Sequence, residues 1–197
     1  MKQRVFVTGA TGGMGFASLK EMLKDSDRQD IVILARDSEK NRNILKPYTE
    51  TPGLEIVWGD LNNYDDVLKC VKGCDLILHI AAFVSPAADY YPKQAMKVNY
   101  GSTRNIINAI YELGQQERTR LVYIGTVAET GDRMPPIHWG RVGDPIKPSM
   151  FDYYAVSKVA AERLVIESGL KYWVSLRQTG IIGKAMAEIE DAIMFHN

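Results

Sequence analysis

Apolar residues recur along the chain in short β-rich runs, separated by stretches with helical spacing. Residues 4–8, 31–35, 55–58, 76–80, 121–124 and 172–176 read as six strands, each a near-continuous apolar run. Such runs lack the in–out alternation of a half-exposed strand and suit parallel strands buried on both faces. Between the first two, residues 14–23 set Phe16, Leu19, Met22 and Leu23 on one side of a helix. Residues 63–71, 94–113 and 153–168 read as further helices, the second long and interrupted by Asn and Gly. Strand and helix in alternation predict an α/β fold with a doubly wound parallel sheet. Two segments break the rhythm. Residues 36–54 form a polar connection with Pro47, Pro52 and Gly53. Residues 127–150 hold Pro135, Pro136, Pro145 and Pro148 with Gly131, Gly140 and Gly143. Connections this long are uncommon unless functional, so the second is read as an active-site wall.

Composition narrows the classes. The 197 residues fit one α/β domain, with a stub of a second. Lys+Arg and Asp+Glu both number 24, which gives no long-range pull toward nucleic acid or an acidic membrane. Cys70 and Cys74 are read as reduced thiols in or near a helix, because no matching Cys or His cluster completes a metal site. The start of the chain runs straight into a strand without the apolar stretch of a signal peptide, and no apolar run reaches membrane-spanning length. The expectation is a soluble cytoplasmic protein with neither a nucleic-acid nor a membrane partner.

The first chemical signal is Thr8-Gly9-Ala10-Thr11-Gly12-Gly13-Met14-Gly15, between the first strand and the first helix. Gly9, Gly12 and Gly15 allow a tight turn and a close backbone approach to a pyrophosphate, and the helix N-terminus adds free N–H groups. Alone the motif is weak; after the first strand of an alternating pattern it points to a nucleotide. The second strand ends Leu34-Ala35-Arg36-Asp37. A carboxylate at that tip would mark NAD by accepting from the ribose hydroxyls. Ala35 stands there instead, and Arg36 can pair with a 2′-phosphate, which favours NADP. A one-residue shift would bring Asp37 to the ribose, so NAD stays open.

Tyr154 and Lys158 stand four residues apart on a predicted helix and so share a face. A nearby ammonium stabilises a phenolate and is expected to lower the tyrosine pKa toward a useful range. Tyr153 is not preferred, since its i+4 residue is Ser157. Thr126 directly follows the fifth strand, where an open α/β sheet lines its ligand crevice. His79, within a strand, reads as structural, and His138 and Trp139 as an exposed loop pair.

Taken together, the TGATGGMG loop, WGDL at 58–61, HIAA at 79–82, NYGST at 99–103, YIGTVAETG at 123–131, YYAVSK and LRQTGIIG at 176–183 resemble the extended short-chain dehydrogenase/reductase family over nearly the whole chain. The resemblance implies a Rossmann fold in which Gly9, Thr11, Gly12, Gly13, Met14 and Gly15 hold the cofactor. It implies that Asp60 and Leu61 border the adenine, that Ala81 and Ala82 line the cofactor channel, and that Asn99 lies nearby. Thr126 takes the Ser/Thr role and Tyr154 is the acid/base. Lys158 tunes the tyrosine and holds the nicotinamide ribose, while Thr179, with its backbone neighbours Gln178 and Gly180, faces the nicotinamide. The family often has tyrosine at Thr130 and proline at Gln178, which leaves the substrate side open.

These residues predict a Rossmann domain over 1–183 and the start of an incomplete substrate-binding lobe over 184–197. The expected activity is that of an NADP-linked carbonyl reductase or alcohol dehydrogenase acting on a small molecule. The strand tip at 34–37 and HIAA lie nearer the dihydroflavonol-reductase and 3β-hydroxysteroid-dehydrogenase branch. Alternatives are a nucleotide-sugar epimerase or dehydratase with retained NAD, and a non-enzymatic NAD(P)-binding regulator, which would not need Tyr154 and Lys158. The resemblance also implies a homodimer through the helices at 94–113 and 153–168.

Overall fold

Strands form where the apolar runs place them in the computed structural model, which describes residues 2–131 and 143–181. Strand β1 (Gln3–Thr8) leads through the glycine loop into α1 (Gly13–Met22), and β2 (Gln29–Ala35) leads into α2 (Glu39–Leu45). Strand β3 (Leu54–Trp58) precedes α3 (Tyr64–Val71). Strand β4 (Leu76–His79) is followed by the short helices α4 (Ala87–Tyr90) and α5 (Pro92–Ala95), a π turn (Met96–Tyr100) and α6 (Gly101–Glu112). Strand β5 (Arg120–Thr126) runs into a 3₁₀ turn (Val127–Thr130), and α7 (Tyr153–Ile166) precedes β6 (Tyr172–Gln178). The readings of His138, Trp139 and residues 184–197 lie outside the described residues.

The sheet order is β3-β2-β1-β4-β5-β6, every pair parallel. This is the doubly wound arrangement, with its switch between β1 and β4. The register aligns the strand ends: Thr8 pairs with Leu34 and His79, His79 with Tyr123, and Thr126 with Gln178. Successive strand side chains point to opposite faces. On one face Val5, Val7, Ile31 and Ile33 pack with Leu19 of α1 and Leu45 of α2. On the other Phe6, Val32, Ile77, Leu121 and Tyr123 pack with α3, α6 and α7. Cys70 and Cys74 lie in this second core as free thiols, and burial pushes both up to about 12. No helix among the described residues is long and apolar enough to cross a membrane.

Two elements differ from the sequence reading. The polar connection contains α2, capped by Ser38, whose hydroxyl accepts from the Asn41 N–H at 3.2 Å. Its seven residues bury only Leu45, too few to write an apolar stripe. The helix expected over 94–113 is broken by the π turn, which carries Asn99 into the interior. An extra residue in the helical ladder rotates the following positions without leaving an apolar signature.

The glycine loop is tied to the sheet by contact. Gly9 has φ +71°, and a Cβ on it would come within 2.9 Å of the Ala81 backbone. A Cβ on Gly15 would overlap the Gly9 carbonyl, whereas one on Gly13 would meet open space. Gly15→Ala is therefore expected to cost about 1–3 kcal/mol, seen as a fall in Tm of about 2–4 °C per kcal/mol. Gly13→Ala should leave the Tm within about 1 °C of wild type. Equal melting of the two variants would contradict this packing.

Candidate active site

The ends of the strands open onto one cleft of about 690 Å³. Its floor is the glycine loop, with Gly9, Thr11, Gly12, Gly13, Met14 and Gly15 all on the lining. Gly12 caps α1 without a side-chain hydrogen bond, so no side chain competes for the first-turn N–H groups. An uncapped ten-residue helix over an open glycine surface fits a pyrophosphate.

At the outer end Arg36 lines the cleft together with Ser38, Lys40 and Asn41. These last three were not singled out from sequence, because α2, which orders them, was not. Asp37 is engaged elsewhere: Arg42 grips it through two hydrogen bonds of 2.6 and 2.8 Å and lies over the Trp58 ring at 4.7 Å. Hydrogen bonding from Arg42 holds the Asp37 carboxylate below its usual range. Asp60 and Leu61 line the next stretch of wall. The Asp60 carboxylate accepts from the backbone and side-chain N–H groups of Asn62, both at 2.8 Å. Ala81 and Ala82 form the opposite wall, and the Ala81 N–H donates to the Thr8 hydroxyl at 3.0 Å.

The inner end is made by Thr126, Tyr154, Gln178 and Thr179. Asp152 starts α7 by accepting from the Ala155 N–H at 2.7 Å, which brings Tyr154 onto the helix's first turn. The Tyr154 phenol is pushed up to about 12, first by burial and then by the nearby Glu129 carboxylate, with the neighbouring Thr126 side chain opposing them. Lys158 is 2% exposed and does not line the cleft. Its ammonium donates to the Ile124 carbonyl at 2.7 Å and sits 4.1 Å from the Tyr123 ring centre. Burial lowers its pKa, opposed by Glu129 and Glu162. The expected lowering of Tyr154 by Lys158 is thus not what this arrangement produces. The Lys158 charge is committed to a carbonyl and a ring, and desolvation of the phenol prevails.

A sequence profile of the NAD dependent epimerase/dehydratase family matches residues 5–194. The chain belongs to this family. It is similar to a 3 beta-hydroxysteroid dehydrogenase/Delta 5-->4-isomerase of Vaccinia virus (strain Ankara), 30% identical over 90% of this chain and 52% of the relative. It is also similar to a UDP-glucose 4-epimerase of Rickettsia bellii (strain RML369-C), 31% identical over 53% of this chain and 32% of the relative. Among solved structures, Bordetella bronchiseptica WbmH in complex with NAD+ superposes with a TM-score of 0.76. The match is 24% identical and covers 93% of this chain and 57% of WbmH. The chain spans about half the length of these full-cover relatives.

Within this epimerase/dehydratase-family domain, three sets of buried polar groups hold the cleft walls. Asn99 lies behind the cleft, not on its lining, and its amide is bonded within the fold. Its oxygen accepts from the Phe83 N–H at 2.7 Å, and its nitrogen donates to the Phe83 carbonyl at 3.0 Å and the Ser157 hydroxyl at 2.8 Å. It pins the segment after β4 to α7. His79 is buried, with Nδ1 2.9 Å from the Thr8 hydroxyl and Nε2 3.0 Å from the Thr103 hydroxyl. Thr103 donates to the Asn99 carbonyl and so accepts from Nε2, while Thr8 donates to Nδ1. This network assigns the neutral Nε2–H tautomer and a structural role.

The third set went unread in the sequence. Glu129 is fully buried beneath Thr126, and Arg177 of β6 holds Glu162 of α7 through hydrogen bonds of 3.0–3.3 Å. The signal was present: Thr126-Val127-Ala128-Glu129 spells a capping box. Nothing in a linear pattern says that such a cap will be sealed from water.

Burial, with the Lys158 charge second, pushes His79 down to about 3 from 6.5. The unfolded chain then binds a proton that the fold refuses, so stability is lost as pH falls from 6.5 toward 3. The expected slope from His79 is about 1.4 kcal/mol per pH unit. Urea unfolding of wild type and His79→Asn across that range measures it; parallel pH profiles would remove His79 from this role.

Proposed function

We propose that the protein is an oxidoreductase that reduces a small-molecule carbonyl, or oxidises the corresponding alcohol, with exchangeable NADP(H). The observation that carries this reading is that Thr126 and Tyr154 stand together on the wall of the cleft floored by the glycine loop. When bound, a nicotinamide cofactor supplies or accepts the hydride. The glycine loop and the α1 N-terminus hold its pyrophosphate. Arg36, with Ser38 and Lys40 beside it, meets a 2′-phosphate. Asp37 would have to break its double bond to Arg42 before it could take a ribose hydroxyl instead.

Tyr154 gives its proton to the carbonyl oxygen during reduction and takes one from the alcohol during oxidation. The Thr126 hydroxyl holds the same oxygen. The phenolate left on Tyr154 needs a cation, and Lys158 is one helical turn away. This reading requires its ammonium to leave the Ile124 carbonyl. The dehydrogenase-named viral relative, which aligns with 90% of this chain, supports dehydrogenase chemistry. The second reading is a nucleotide-sugar epimerase with retained NAD, supported by the 31% identity to the Rickettsia enzyme. A cofactor that copurifies and recycles would select it; NADPH that exchanges freely selects the first.

Arg36→Ala is expected to weaken NADPH binding by about 10–100-fold, the loss of one charge-assisted contact, with NADH binding little changed. Fluorescence titration with both cofactors measures this, and an equal effect on the two would remove Arg36 from 2′-phosphate recognition. Tyr154→Phe should lower NADPH-dependent reduction in a ketone and aldehyde screen by about 10²–10⁴-fold while cofactor binding persists. Full turnover by that variant would end the Tyr154 mechanism.

A further inference from the structure

The proposed chemistry leaves unexplained why two carboxyls are buried behind Thr126 and Tyr154. Glu129 and Glu162 are 0% and 1% exposed, and they come from different elements, the 3₁₀ turn and α7. Glu129 Oε1 accepts from the Thr126 N–H at 3.0 Å, and the Thr126 hydroxyl accepts from the Ala128 N–H at 3.3 Å. The carboxyl thereby fixes the backbone that aims the Thr126 side chain. Glu129 Oε2 is sealed from solvent without a hydrogen bond as a carboxylate oxygen, 3.5 Å from Arg177 Nε. The Arg177 Nε–H and Nη2 groups are directed at Glu162. A proton on Glu129, donated to Glu162, satisfies the orphaned oxygen and removes one of two like charges.

The surroundings of Glu129 are mixed in sign. Tyr154, Lys158 and Glu162 face it from α7, Arg177 and the Ser175 hydroxyl from β6, and the Tyr123 phenol from β5. His79 of β4 adjoins Lys158 as a neutral ring, and Asp152 acts on Tyr154 from the start of α7. Burial and Glu162 raise the Glu129 pKa, while Lys158 opposes them. The Glu129 charge in turn raises both Lys158 and Tyr154.

We infer that Glu129 is a positioning residue for the Thr126–Tyr154–Lys158 set: its carboxyl aims Thr126, and the proton it shares with Glu162 sets the charge felt by Tyr154 and Lys158. This rests on the proposed reaction for its consequence in turnover, but the charge coupling is a property of the fold. When Glu129 is protonated, the Tyr154 proton is easier to release. When it ionises, the Lys158 ammonium is held and the Tyr154 phenol is held neutral. The site thus carries a buried acid that moves the two reacting groups together.

Glu129→Gln tests it, because the amide keeps an acceptor for the Thr126 N–H and a donor toward Glu162 but cannot ionise. Two readouts do not need turnover. The infrared carbonyl band of a protonated carboxylic acid should be present in wild type at neutral pH, fade at alkaline pH, and be missing in Glu129→Gln. The phenolate absorbance of Tyr154, taken by pH jump as the difference from the matching Tyr154→Phe protein, should appear about 1 pH unit or more lower in the glutamine variant. In NADPH-dependent ketone reduction, the alkaline limb of the rate should move down in the same direction as Lys158 loses its anion. A wild-type protein with no such acid band, or a Tyr154 titration unmoved by Glu129→Gln, overturns the inference. If Glu129→Gln does not fold, the wild-type infrared titration decides alone. If the tyrosine titration moves while no ketone or aldehyde is reduced by wild type, the proposed reaction fails and the coupling stands.

Discussion

A parallel sheet aligns the C-terminal ends of its strands along one edge, and everything else in this molecule depends on that constraint. Each strand must return by a crossover, so helices cover both faces and the strands bury on both sides. The residues that leave the strands are then gathered at one edge: the glycine loop after β1, Arg36 after β2, Asp60 after β3, Ala81 after β4, and Thr126 at the end of β5. Residues more than a hundred positions apart share a cleft because the strands' register, Thr8 with His79 and His79 with Tyr123, leaves no other place for them.

The edge has to be built from polar groups in a largely apolar interior, and burial of each must be answered by a partner. The solution is a chain of side-chain bonds from wall to wall. Thr8 links the glycine-loop strand to His79 and to Ala81; Thr103 links His79 to the helix behind; Asn99 links Phe83 to Ser157. Charges follow the same rule less completely. Lys158 rests on a carbonyl and a ring, Arg177 on Glu162, and Glu129 is left with an oxygen that only a proton or a neighbouring cation can serve. That incompleteness lies against Thr126 and Tyr154, where a movable proton has a use.

The strands and most helices were legible because their apolar runs are long and their burial is uniform. Helix α2 was not, since Leu45 alone anchors it and its start depends on the Ser38 hydroxyl. The π turn was not, because an inserted residue changes direction without changing composition. Among the candidate residues, the glycine loop, Thr126, Tyr154 and Thr179 are brought to the cleft; Asn99 and Lys158 stand behind it. The spacing of Tyr154 and Lys158 places them one turn apart on α7, but spacing carries no information on which carbonyl an ammonium finds.

The sequence by itself determined the alternation of strand and helix, the glycine-rich turn, and the chemical types of the residues that follow each strand. Apolar period and backbone tolerance are local properties, so they can be read from neighbours along the chain. Only the tertiary structure decided that Asp37 belongs to Arg42, that Lys158 turns to Ile124, and that Glu129 meets Glu162 and Arg177 out of water. Those outcomes turn on desolvation and on charges brought together from distant segments, and neither quantity exists until the chain has folded.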